Sequence, residues 1–94
     1  MINMEIYKPY LNDHINKYGK MAQIDIAIEE LIELAKELLK AKRGKYQTHD
    51  IIEMVDEIAD VYIMLQQLQL IFEVSDEYVE DIIFQKIDRM KRIY

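Results

Sequence analysis

No cysteine occurs in the 94 residues. Disulfide staples and thiolate metal sites are therefore excluded, and a cytoplasmic setting is expected. No apolar run approaches the roughly 18–20 residues that a membrane-spanning helix requires, so no membrane partner is expected. The N-terminal stretch MINMEIYKPYLNDH lacks a basic region followed by an apolar one, which excludes a secretory signal there. Basic residues are also scarce, 12 against 18 acidic ones, leaving a net charge of −6. They gather in KAKRGK (40–45) and KIDRMKRIY (86–94) rather than over a broad surface, so binding to duplex nucleic acid is disfavoured. An acidic substrate fits such a chain only if a cation mediates.

What is plentiful is apolar side chain, 51% of the chain, enough for a core. A chain this short buries less of its surface than a longer one, and self-association would enlarge that core. The expectation is one domain over residues 1–94. Two glycines and one proline punctuate it. Pro9 is expected to end an irregular arm, since it lacks a backbone donor and restricts its predecessor. LNDHINKYG (11–19) suggests a short helix capped by Asn12 or Asp13 and stopped by Gly19.

From Lys20 to Arg43, Ile24, Ile28, Leu31, Ala35, Leu38 and Leu39 recur at three- and four-residue steps and form an apolar helix face. Lys40, Lys42 and Arg43 complement the negative end of its dipole, and Gly44 terminates it. After the loop GKYQTH (44–49), Thr48 or Asp50 can cap a further helix reaching about Glu73, with Asp50 and Glu53 approximating a capping box. Ser75 caps a last helix, acidic in its first turn and basic from Lys86 to Arg92. No stretch alternates with period two for long enough to make a strand. The fold class is thus all-α: an antiparallel bundle of three long helices and a short N-terminal one, completed by oligomerisation.

One stripe is chemically odd. Asp50, Glu53, Glu57 and Asp60 share a face that continues as Met64, Leu68 and Ile71, so acids point where apolar side chains point. On the preceding helix Glu30 and Glu33 lie one turn apart beside Ala27 and Leu34, and Gln23 and Glu37 extend their stripe. Glu33 and Glu57 each stand 12 residues from Lys45, so antiparallel packing sets the two acidic pairs at similar heights. Four facing carboxylates repel and are costly to bury unpaired. Protonation or pairing with lysine is one resolution, and a hard cation among them is the other. With all-oxygen donors and no Glu-x-x-His, Mg²⁺ or Mn²⁺ suits better than zinc or a di-iron centre. His14, Tyr18 and Gln23, just ahead of the first pair, could stack on or hydrogen-bond a base. They could equally be packing and capping groups. Lys36 and Lys40 offer a phosphate clamp. Tyr62, next to the second acidic pair, reads as a core residue.

EELIE (29–33), followed after a gap by DEIADV (56–61), resembles the Glu-x-x-Glu…Glu-x-x-Asp signature of the MazG-like, all-α nucleoside triphosphate pyrophosphohydrolases. The resemblance runs from YGKMAQIDIAIEELIELAKELLKAKRGK through DIIEMVDEIADVYIMLQQL and is to the small single-domain members, often phage or bacterial. It implies that Glu30, Glu33, Glu57 and Asp60 bind Mg²⁺. It further implies hydrolysis of a nucleoside triphosphate to a monophosphate and pyrophosphate. Glu53, Glu29 and Asp56 are the candidates to accept the water's proton, Glu53 first because it shares the face of Glu57 and Asp60. Lys86 and Arg89, one turn apart on the last helix, match basic residues that related proteins use to hold phosphates. Family members are dimers or tetramers, so a homodimer or homotetramer is expected, its interface on the apolar stretch from Met64 to Phe72. Two rival readings stand beside this one. The chain could be a non-catalytic helical interaction module whose acidic stripe is decoration or meets a basic partner, or a relative that binds nucleotide without turnover.

Overall fold

A positive φ is cheap only for glycine, and both glycines adopt one: Gly19 at 94° and Gly44 at 76° close the first two α-helices of the chain. The computed structural model describes residues 3–44 and 47–93, and these residues are all-α. A 3₁₀ turn at Glu5–Tyr7 leads into α1 (Lys8–Tyr18), α2 (Lys20–Lys42), α3 (Thr48–Ile71) and α4 (Asp76–Ile93). Three long helices and one short one match the expected inventory.

Several boundaries differ from expectation, each for a local reason. Pro9 does not end an irregular arm; it sits in the first turn of α1, where a missing N–H costs nothing. Asn12 and Asp13 consequently lie inside α1 rather than at its start. The cap of α3 is displaced too. Asp50 accepts a hydrogen bond from the Gln47 backbone N–H at 2.8 Å, so the box pairs Gln47 with Asp50 and not Asp50 with Glu53. Ser75 does cap α4, its Oγ accepting from the Tyr78 N–H at 3.1 Å. Helix α3 stops at Ile71, two residues before Glu73, which turns the chain with a φ of 56° while the Val74 N–H reaches back to the Gln69 carbonyl.

The dominant contact is α2 against α3, an antiparallel hairpin about 35 Å long at 1.5 Å per residue. Its register is read from facing pairs, with Lys40 opposite Asp50 near the turn and Glu30 opposite Asp60 at mid-height. Helix α1 packs across both, whereas α4 packs along none of the others. Its first turn is tied down where Asp76 accepts from the Lys8 ammonium and the Gln69 amide, each at 2.9 Å. The buried apolar side chains are few: Ile15, Ala27, Met64 and Ile71. Gln23, Asp50 and Gln67 are buried with them.

The apolar face expected on α2 exists, but Ile28, Leu31, Leu38 and Leu39 turn it outward. Tyr62 is exposed as well, and is not a core residue. The stretch from Met64 to Phe72 does not form one apolar surface either, since Met64 and Ile71 are buried while Leu65 and Phe72 are exposed. The face between the two helices is mixed, with Gln23, Glu30, Glu57 and Asp60 beside Ala27 and Met64, and much of the remaining apolar surface lies on the back.

Candidate metal centre

Helix α2 presents Glu30 to α3, and α3 answers one turn at a time with Glu57 and Asp60. Each of the three is half-buried, and one oxygen from each lies within 4.8 Å of the other two. Among the described residues these are the acids gathered closely enough to share one ion. Burial, reinforced by the charges of Asp60 and Glu57, pushes the Glu30 carboxyl up to about 7. Burial also raises Glu57, opposed by a hydrogen bond with Glu30 and assisted by the charges of Asp60, Glu33 and Asp56. The Oε2 atom of Glu57 is buried without a hydrogen-bond partner. A buried acceptor left unmet is costly, and a hard cation would satisfy it.

Glu33 is not drawn into this trio. Its carboxylate pairs with Lys36 at 3.3 Å and its side chain is half-exposed, although its charge is felt at Glu57. Next to the trio lies a cavity of about 640 Å³ lined by Glu37, Ile52, Glu53, Val55, Asp56, Glu57 and Ala59. Two of the proton-acceptor candidates, Glu53 and Asp56, therefore share a cavity with the metal candidate Glu57. Glu29 is exposed on α2 and does not line that cavity.

Lys36 and Lys40 are not held as a free phosphate clamp. Lys36 is engaged by Glu33, and Lys40 spans the hairpin, with Glu37 at 3.3 Å, Glu53 at 3.5 Å and Asp50 at 3.6 Å. The hydrogen bond to Glu37, then the charges of Glu37 and Glu53, raise the Lys40 ammonium above its ordinary value. Lys40 thereby offsets part of the acidic charge at the loop end of the stripe. Lys86 and Arg89 are exposed on α4, which does not pack along the hairpin. Lys45, expected in the basic cluster at the turn, lies outside the described residues.

The base-contact candidates divide. His14 and Tyr18 form an exposed tilted ring pair, 4.7 Å between centroids. Gln23 is instead 2% exposed, with Nε2 unpartnered, and is a core residue of the hairpin. Glu37 is the residue that sequence reasoning left in the stripe without a role. Its Oε2 is buried and unpartnered and it faces the cavity beside Glu57. The seven-residue step from Glu30 to Glu37 was the available signal.

Comparison of the chain with protein-family models, curated proteins and solved structures found no match. The paired acidic motif and the arrangement of its side chains are thus what a functional reading stands on.

Proposed function

We propose that the protein is a Mg²⁺-dependent nucleoside triphosphate pyrophosphohydrolase, with Mn²⁺ as a substitute cation, acting as a homo-oligomer. The observation that carries this reading is the inward trio of Glu30, Glu57 and Asp60, one of whose oxygens is buried with nothing to bond. All donors are oxygens, the set that magnesium prefers, and the cavity beside them leaves room for waters and phosphate oxygens. Bound there, the cation supplies charge neutralisation and a water of lowered pKa.

The chain's own residues do the rest. Glu30, Glu57 and Asp60 would hold the ion, and a turn of the Glu33 side chain away from Lys36 would add a fourth ligand. Glu53 and Asp56, in the cavity that Glu57 lines, would accept the proton of a water attacking the α-phosphorus. That attack forms the new P–O bond as the bond to the β-phosphate oxygen breaks, so pyrophosphate leaves and a nucleoside monophosphate remains. Lys40 keeps Glu37 and Glu53 from adding their full charge to a site that must admit a triphosphate.

The test is incubation with a panel of nucleoside triphosphates and Mg²⁺. Pyrophosphate and monophosphate should accumulate together, and Glu57→Gln should lower the rate by about 100-fold or more, since even outer-shell changes at metal sites cost about 10–100-fold. Release of orthophosphate would place cleavage at another bond. No turnover of any nucleotide would leave the acidic trio as a binding site or as decoration.

A further inference from the structure

On the side of α3 turned away from the carboxylates, Ile51, Val55, Ile58, Tyr62 and Leu65 form a single exposed line. Their spacing is four, three, four, three, the repeat of a helix seam rather than of a scattered surface. All five are between 38% and 59% exposed. The four acids of α3 beyond its first turn, Glu53, Asp56, Glu57 and Asp60, lie on the opposite side. The seam and both its flanks are uncharged over four turns. Alongside it opens an apolar depression of about 380 Å³ lined by Tyr7, Tyr10, Leu11, Ala59, Tyr62 and Ile63, with Met4 at its end.

The surface exposed by one chain calls for a partner. A folded monomer of 11.3 kDa exposes on the order of 5,700 Å², whereas this chain exposes 7632 Å². The excess is more than twice the roughly 800 Å² that each side of a standard interface buries. We infer that the α3 seam of Ile51, Val55, Ile58, Tyr62 and Leu65 pairs antiparallel with the same seam of a second copy across a twofold axis. Charge selects this face for self-pairing. A chain of net charge −6 repels its copy, and the α3 seam brings no carboxylate against another. The outer face of α2 is flanked by Asp25, Glu29 and Lys36, and the apolar stripe of α4 is broken by Lys86, so neither matches itself as well. The 3.5-residue repeat sets the two helices at about 20°. Each copy then keeps its acidic trio facing away from the axis, with Val55 at the edge shared by the seam and the acidic cavity.

This deepens the oligomer proposed above but does not require hydrolysis. A seam-paired dimer without turnover would sink the enzymatic reading and leave the pairing intact. The chain lacks cysteine, so single cysteines report geometry directly. The proposed pairing sets Ile58, the middle of the seam and seven residues from both Ile51 and Leu65, against its own copy on the axis. Oxidised Ile58→Cys should form a covalent dimer efficiently, and Ile51→Cys and Leu38→Cys should not. The wild-type chain should sediment at twice 11.3 kDa, and Ile58→Glu with Leu65→Glu should sediment as a helical monomer. If that variant fails to fold, the cysteine pattern still decides. A monomeric wild type, a dimer that survives both glutamates, or crosslinking at Ile51 or Leu38 in preference to Ile58 overturns the proposal.

Discussion

At the scale of single residues, Glu30 connects proton, metal and stability. Its carboxyl sits at about 7 in the folded chain and in the ordinary carboxylate range when unfolded, so the folded state binds the extra proton between those values. Without metal, stability should therefore fall as pH rises from about 4.5 through 7. Asp50 and Asp76 act in the opposite direction in a lower window. The Gln47 N–H and the Lys8 ammonium, respectively, hold them below their ordinary values. Their contribution is complete above about pH 4 and is lost as pH falls through their folded values. Melting temperature in EDTA should thus peak near pH 5, and millimolar Mg²⁺ should raise it most above pH 7, where Glu30 has already ionised. The binding itself should release a proton near pH 6, visible as a buffer-dependent heat in titration calorimetry. A magnesium-independent melting profile across this range would remove the metal from the site.

Among the helices, the question is which parts of the architecture a reader of the sequence can see. The four helices were legible because their apolar periodicity, the acidic first turns of α3 and α4, the basic last turns of α1, α2 and α4, and the glycines after α1 and α2 all agree. Pro9 misled because proline is equally at home in the first turn of a helix and in an arm. Periodicity also cannot say which way an apolar face points. Ile28, Leu31 and Leu38 looked like core because cores are where such stripes usually go, and here the facing helix offers carboxylates instead. The acidic pairs were legible from spacing, while the engagement of Glu33 by Lys36 depends on rotamers that spacing leaves free. The α3–α4 corner carries its own prediction. Glu73 holds a φ of 56°, which costs an L-residue about 1–2 kcal/mol, whereas glycine accepts it freely. Glu73→Gly should raise stability by about 0.5–1 kcal/mol after the entropy that glycine adds to the unfolded chain, measured by urea denaturation at fixed protein concentration.

For the molecule as a whole, the thin core and the polar groups inside the hairpin are one fact seen twice. Carboxylates placed between α2 and α3 take space that apolar side chains would fill, so among the described residues the buried apolar side chains are Ile15, Ala27, Met64 and Ile71. The radius of gyration is 15.7 Å, above the roughly 12 Å expected for a chain of this length, because α4 extends from the hairpin without lying along it. A site that demands polar groups inside a 94-residue chain must recover its apolar burial elsewhere, and a second copy is the available source. Folding and association are then linked, so the melting temperature should rise with protein concentration. Over a hundredfold range we expect a shift of several degrees in the wild type and none in the Ile58→Glu, Leu65→Glu variant. Ile58 and Leu65 do not line the acidic cavity, so stabilisation by Mg²⁺ should persist in that variant. Loss of both effects together would mean that the acidic trio is assembled only when the seam is closed.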